Sequence, residues 1–554
     1  MKQFKIMLIT SLLAIGTMCL NAQETKQQWV KSKLKSMTLR EQIAQLFVIA
    51  LRPSQGEQHI NKVLETLREE QVGGIYWGPC APTRYINLLN EVQAQVNIPL
   101  LVTTDAEWGV SMRIDSVVRF PQQLTLGAIQ DNRLIYDFGA EVASQCRETG
   151  VHLNFVPVVD VNNNPNNPVI NMRSFGENKY KVTEKGYAYM KGMQDGGVLT
   201  CLKHFPGHGD TNKDSHEELP IISHDKKRLE EIELYPFREL IKRGAQGVMV
   251  SHLLVPALSP EIASQSKAIC TDLLQKKLKF KGLVITDGLE MKGAFHNRDA
   301  SKVALYSLMA GQDMLTVPLD MKKSIDEIEN AVKTGEISKT LIQKKCKKVL
   351  EAKYDMGLHK GFEPINPQGI LERLNTDRAR TLLMKLAGAS LTLLSNNNIL
   401  PVNSEKITYI EIGQEAGFKN QLQEYCAIDT LKIDLNVPKE NLNSLAASLQ
   451  NAGTIIVGCH GFSPANFGVN SPIIDFIDNL TKDNQVVLVF FGNPYSIACF
   501  KNHERLAALI AAYDNSNEAQ ISSAKAIFGR QNFSGRLPVT INEIFREDFG
   551  LVGE

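Results

Sequence analysis

The chain has 554 residues, enough for two or three domains, with 43% apolar and 22% charged side chains. This is the composition of an ordinary globular protein rather than a disordered or membrane-embedded one. Its 61 basic and 60 acidic side chains leave a formal charge of +1, which argues against a nucleic-acid partner and for a neutral or mixed one.

The N-terminus reads as a leader. Lys2 and Lys5 precede a short apolar stretch over 6–20, and Leu20-Asn21-Ala22 offers a cleavage site before Gln23. The stretch is short for a membrane span; an anchored helix, or a lipoprotein through Cys19, are the other readings. Residues 1–22 are therefore set apart from the fold, and an exported, periplasmic or secreted protein is expected. Eight cysteines remain (80, 146, 201, 270, 346, 426, 459 and 499). Export permits disulfides, but no CxxC pair or regular spacing sets a framework, so they read as small buried hydrophobes.

From residue 40 onward apolar runs alternate with amphipathic stretches. The runs are 43–50, 72–77, 99–104, 153–160, 198–202, 247–254, 283–287 and 313–317; helices are expected over 57–70, 85–96, 133–148, 181–195, 226–243 and 301–310. Eight such units predict parallel strands with helical crossovers, and a (β/α)8 TIM-like barrel over 23–365. A doubly wound open sheet is the alternative. Helices over 322–333 and 339–354 close the barrel, and a Pro/Gly-rich stretch over 361–369 marks a boundary. A linker helix within 366–389 leads to a smaller three-layer αβα sandwich over 390–554. Its strands are expected at 390–394, 407–412, 454–459, 486–491 and 506–512.

Barrel sites are built where strands end. Run three is followed by Asp105, with Arg113 beyond; run four by Asp160, an Asn/Pro loop over 162–168 and Arg173; run five by Lys203 and His204; run six by His252; run seven by Asp287. Charged or His ends on five consecutive runs predict a site. The loop from Lys203 to His216 is the densest part. Four of the eleven histidines lie between His204 and His224, and its glycines and proline forbid regular structure.

A strand-end carboxylate such as Asp287 serves as base, ligand, nucleophile or helix cap. In Asp214-Ser215-His216 a carboxylate two residues from an imidazole orients the ring, sets its tautomer and raises its basicity, as general acid–base work near neutral pH requires. Together they form a variant of the two-carboxylate arrangement of glycoside hydrolysis. Asp105, Arg113, Arg173, Lys203, His204 and His252 would then hold a polyhydroxyl ligand. A metal site from His204, His208, Asp210, Asp214 and His216 is the competing chemistry, but Phe-Pro-Gly between the two histidines prevents the shared helical face of HExxH. No phosphate-binding glycine motif follows the first run. In the second domain Gly458-Cys459-His460-Gly461 and Gly492-Asn493-Pro494 read as strand-end turns.

Lys203-His204-Phe205-Pro206-Gly207-His208-Gly209-Asp210 followed by Asp214-Ser215-His216 resembles the signature of glycoside hydrolase family 3, in its β-N-acetylhexosaminidase branch. Asn167-Pro168-Val169-Ile170 with Arg173-Ser174-Phe175-Gly176, the segment Asp287 to Ala294, Asp105 with Arg113, and the tail from Ala512-Tyr513-Asp514 to Gly535-Arg536-Leu537-Pro538-Val539-Thr540 agree in order and spacing. The resemblance spans nearly the whole chain after the leader. It implies a retaining exo-hydrolase. Asp287 is the nucleophile, His216 the acid/base, and Asp214 orients His216. Asp105, Arg113, Arg173, Lys203 and His204 bind terminal N-acetylglucosamine, with His252 nearby. No metal or organic cofactor is implied, and the expected substrates are peptidoglycan fragments or other glycans. Two departures stand out. Glu107-Trp108-Gly109-Val110 replaces the family's Glu-Gly-Gly-Arg, so that Trp108 is expected to reshape the subsite, and Gly288 stands where many members carry a second Asp. A phosphorylase, a β-glucosidase or xylosidase of the same family, and a non-catalytic sugar-binding protein are the remaining readings.

Overall fold

The computed structural model describes residues 24–296, 298–463 and 471–551; the leader segment lies outside them. Eight parallel strands form the first sheet: β1 Phe47–Leu51, β2 Gly74–Trp77, β3 Leu101–Thr104, β4 Leu153–Asn154, β5 Leu199–Phe205, β6 Gly247–Val250, β7 Leu283–Thr286 and β8 Leu315–Thr316. Their order is β7-β6-β5-β4-β3-β2-β1-β8. A bridge from Ile285 to Met314 brings β7 back to β8 and closes the barrel. All seven residues of β5 are buried, as expected of a strand covered by helices outside and packed side chains inside.

Each predicted run holds a strand, with local differences. Ile43 and Ala44 belong to helix Leu39–Ala44, which the Thr38–Glu41 capping box starts, so β1 begins only at Phe47. Regular pairing in β4 stops at Asn154, and 155–160 continues irregularly; Val158 still bridges Lys203. The helix expected over 226–243 is two, Lys226–Glu231 and Leu234–Lys242. Pro236 lies in the first turn of the second, where its missing N–H costs nothing. Helices Asn132–Glu148 and Lys179–Asp195 start on Asp131 and Asn178 caps. They touch at glycine, since a Cβ on Gly192 would stand 2.2 Å from the Tyr136 carbonyl oxygen.

After helix Asp377–Ser390 comes a separate mixed sheet. Its strands are β9 Thr392–Asn396, β10 Lys406–Ile412, β11 Ala427–Ile433, β12 Thr454–Phe462, β13 Gln485–Gly492 and β14 Ala508–Ala511. The order is β11-β10-β12-β13-β14-β9, with β9 alone antiparallel. β11 is absent from the expected strands. It is an edge strand, Ala-Ile-Asp-Thr-Leu-Lys-Ile, with only Ile433 buried, and its polar content hides it. Separate apolar clusters lie beneath the barrel helices and on the two faces of this second sheet. Among the described residues the eight cysteines are unpaired and mostly buried, and no helix is long and apolar enough to cross a membrane.

Candidate active site

At the C-terminal end of the barrel lies a pocket of about 340 Å³. Its walls include Asp105, Arg113, Arg173, Lys203, His204, His216 and Asp287, seven of the nine residues singled out in the sequence. They come from several separate stretches of the chain, and the parallel strands deliver them to one face.

One wall is a lattice of charge. Lys203, only 2% exposed, donates from Nζ to Asp105 Oδ1 at 2.6 Å and pairs with Glu107 Oε1 at 2.7 Å. Arg173 grips Glu107 with two bonds, Nε to Oε2 at 3.0 Å and Nη2 to Oε1 at 2.7 Å. The second oxygen of Asp105 accepts from the Tyr76 hydroxyl at 2.8 Å and from Arg113 Nη2 at 3.1 Å. Burial opposes ionisation of both carboxyls, but Lys203 with Arg113 holds Asp105 well below the usual carboxylate range, and Arg173 with Lys203 holds Glu107 down to about 2. The forked guanidinium and the ammonium are thus preset before any ligand arrives.

A second lattice orients the histidines. The buried Asp160 carboxylate accepts the backbone amides of His204 and His208, and His204 Nδ1 donates to it at 2.7 Å. That leaves His204 Nε2 on the pocket side, 3.4 Å from Arg173 Nη2. The Lys203–His204 and Phe205–Pro206 peptides are cis. His208 also lines the pocket, but both its ring nitrogens are partnered: Thr211 Oγ1 lies 2.9 Å from Nδ1 and Ser215 Oγ 3.3 Å from Nε2. Burial lowers its pKa to about 4, so it is neutral at pH 7. Asp210 pairs with His224 at 2.7 Å instead of facing His204. His204, His208 and Asp210 thus have partners among their neighbours rather than facing a common point.

Asp287 follows β7. Its Oδ1 accepts the Gly288 amide at 2.8 Å, and among the described residues no hydrogen bond engages Oδ2. Burial opposes its ionisation, but His204, His252 and the Gly288 amide outweigh burial and hold it below the usual range. On the exposed part of the loop, Asp214 Oδ1 accepts both the backbone amide of His216, at 2.8 Å, and its Nδ1–H, at 2.7 Å. The tautomer is thereby set, and Nε2 is the nitrogen able to exchange a proton with a ligand. The His216 side chain is 63% exposed. Asp214 stands behind it and does not line the pocket.

Two expectations change. His252 does not line the pocket: it is buried, Nδ1 lies 2.7 Å from Ser264 Oγ and Nε2 donates to the Gly288 carbonyl at 3.1 Å. It props the segment after Asp287. Trp108 is not in the wall either, and packs half-buried against the barrel core. At Gly288 a Cβ would meet nothing nearer than Met291 at 3.6 Å, so the glycine is not forced by crowding.

Sequence reasoning passed over Tyr76, Glu107 and Arg52 as site residues, and it marked Asp160 as a strand end without giving it a role. Glu107 stands two residues after Asp105, a spacing that returns a side chain to the same side of an extended segment. Tyr76 is a polar aromatic near a strand end. Arg52 follows β1, and its guanidinium forms a two-bond ion pair with Glu290, three residues after Asp287.

Comparison with known proteins decides the family. Residues 38–352 match the glycosyl hydrolase family 3 N-terminal domain, and 391–547 match the family 3 C-terminal domain. The chain belongs to glycoside hydrolase family 3. Beta-hexosaminidase A of Pseudoalteromonas piscicida is 27% identical to this family 3 hydrolase over 511 residues, which cover 81% of this chain and 84% of that one. Beta-hexosaminidase LpqI of Mycobacterium bovis (strain BCG / Pasteur 1173P2) is 32% identical over 327 residues, 57% of this chain and 82% of that one. Among solved structures, a family 3 β-N-acetylglucosaminidase from Paenibacillus sp. str. FPU-7 superposes with a TM-score of 0.78 and 28% identity, covering 92% of this chain and 99% of that one. The barrel of the family 3 hydrolase and its second αβα sheet are those of this neighbour.

Proposed function

We infer that this glycoside hydrolase of the β-N-acetylhexosaminidase type removes terminal β-linked N-acetylglucosamine from glycans by a retaining double displacement. The observation that carries the reading is that Asp287 and His216, the latter held by Asp214, line one pocket. Asp287 Oδ2 attacks the anomeric carbon while His216 Nε2–H protonates the departing glycosidic oxygen. The C–O bond breaks and a glycosyl ester forms on Asp287. The same imidazole, now neutral, takes a proton from water. The hydroxyl oxygen attacks the anomeric carbon, frees Asp287 and leaves the proton on His216. Asp105, Arg113, Arg173, Lys203 and His204 hold the sugar hydroxyls and the acetamido group. Export through the leader segment makes peptidoglycan fragments the natural source of such termini.

The test compares aryl N-acetyl-β-glucosaminide with the matching β-glucoside and β-xyloside, for wild type, Asp287→Ala and His216→Ala. Preferred turnover of the N-acetyl substrate, lost in Asp287→Ala and partly kept in His216→Ala for leaving groups that need no protonation, supports the reading. Preference for the glucoside or xyloside, or an active Asp287→Ala, overturns it. Product analysis with and without inorganic phosphate separates hydrolysis from phosphorolysis, since a His acid/base does not repel phosphate as a carboxylate would.

A further inference from the structure

The turn Gly492-Asn493-Pro494-Tyr495 after β13 does more than end a strand. Asn493 Nδ2 donates to Asn171 Oδ1 at 2.9 Å, and Tyr495 OH accepts from Asn162 Nδ2 at 3.1 Å. Met172 packs against Leu124, Tyr495 and Val539. Farther along, Thr540 donates to the Glu177 carboxylate through N at 2.9 Å and Oγ1 at 2.6 Å, and Glu177 N donates to the Pro538 carbonyl at 3.1 Å. All these barrel partners except Leu124 belong to the segment over 162–177 that follows β4. Among the described residues, none of the second domain lines the pocket itself.

The gripped segment carries Arg173, the fork that holds Glu107 and faces His204. Asn171, two residues earlier, has φ +34°, a left-handed conformation that Asn tolerates better than most residues. Its side chain is held at both ends: Nδ2 donates to the Pro165 carbonyl at 3.1 Å while Oδ1 accepts from Asn493. Asn493 is only 9% exposed, and its own Oδ1 accepts from Tyr495 N at 3.1 Å. The brace is therefore ordered on both sides of the contact and has no rotamer to lose when substrate binds.

We propose that Asn493 and Tyr495 are positioning residues for Arg173, through which the second domain sets the pocket without touching the sugar. The inference rests on the reading that Arg173 binds substrate. Truncating the brace frees the segment that carries the guanidinium, so the loss falls on substrate binding more than on the chemical step.

Asn493→Ala and Tyr495→Phe are made alone and in combination with Arg173→Ala, with thermal unfolding followed in each. For aryl N-acetyl-β-glucosaminide, Asn493→Ala is expected to raise KM about 5-fold with kcat within a factor of about two, and Tyr495→Phe to act in the same direction. In the Arg173→Ala background Asn493→Ala should add almost nothing, because its effect passes through the missing side chain. Full additivity, or an unchanged KM, overturns the proposal. A wild type inactive on this substrate would sink the functional reading instead. Amide hydrogen exchange over 162–177 then decides the brace without substrate: faster exchange in Asn493→Ala, confined to that segment, supports it, and an unchanged rate overturns it.

Discussion

The backbone amide of Gly293 donates to the carbonyl of Ser215 at 3.2 Å. Ser215 sits between the two members of the Asp214–His216 pair, and Gly293 lies six residues after Asp287, so this bond ties the acid/base loop to the segment that bears the nucleophile. A Cβ on Gly293 would stand 3.0 Å from the Ser215 oxygen and 3.2 Å from the Glu218 oxygen, both backbone atoms. Gly293→Ala therefore displaces the loop by a few tenths of an ångström. We expect kcat/KM to fall about 10-fold for poor leaving groups, which need protonation, and far less for activated aryl groups. Equal losses across leaving groups would count against it.

Lys203 is the keystone of the charged wall, pairing with Asp105 and Glu107 from a fully buried position. Lys203→Met leaves buried Glu107 and half-buried Asp105 each with an arginine but without their shared cation. A loss of about 3–5 kcal/mol in unfolding free energy is expected, together with loss of activity. Adding Glu107→Gln should recover part of the stability and none of the activity. Denaturant titration of the three proteins checks both; a single variant as stable as wild type would refute the pairing.

Lys353 is an amine in the wrong solvent. It is fully buried, and its Nζ donates to Gln45 Oε1 at 2.7 Å. No carboxylate pairs with it among the described residues, and burial pushes its pKa down to about 7. The unfolded chain keeps this proton to about pH 10.4. Between these values the unfolded state binds more protons, so stability rises with pH, and below about 7 the full cost of the buried cation is present. Lys353→Met removes that dependence. The stability difference between variant and wild type should shift by a few kcal/mol from pH 6.5 to pH 10; a constant difference would show that the amine is solvated.

Three imidazoles, His208 and His460 buried and His152 half-buried, set the acid limit. His152, His208 and His460 are each lowered by burial to about 4. His152 Nδ1 accepts the Val102 amide at 3.0 Å, a bond that protonation at that nitrogen would break. A folded pKa below the unfolded value of about 6.5 means that the stability these groups contribute is whole above that value and drains away as pH falls toward 4. Denaturant unfolding at pH 7.5 and 4.5 should differ by several kcal/mol, with the barrel losing more than the second domain because it holds two of the three. A flat profile would contradict this.

The barrel was legible because a parallel strand covered on both faces is written as an unbroken apolar run, and Leu199–Phe205 is such a run. Edge strand β11 was not, because half its side chains face water. Strand-end reasoning found Asp105, Lys203, His204 and Asp287, since each stands where a run stops. It misplaced His252 by the same logic: a strand-end imidazole can turn inward, and only the positions of Ser264 and the Gly288 carbonyl reveal that it does. Glu107 was missed, and Asp160 was found as a strand end but given no role, for a different reason. Their role is to hold other side chains, and such a role exists only once residues 66 and 44 positions away have been brought beside them.

The ion-pair lattice has a consequence for the working medium. Arg52, Arg113, Arg173 and Lys203 are each already paired with Glu290, Asp105 or Glu107 in and just behind the pocket wall. A neutral glycoside entering beside cations that are already paired displaces little counterion atmosphere and, having no net charge, feels no long-range attraction. Its capture should proceed almost equally well in dilute buffer and in brine.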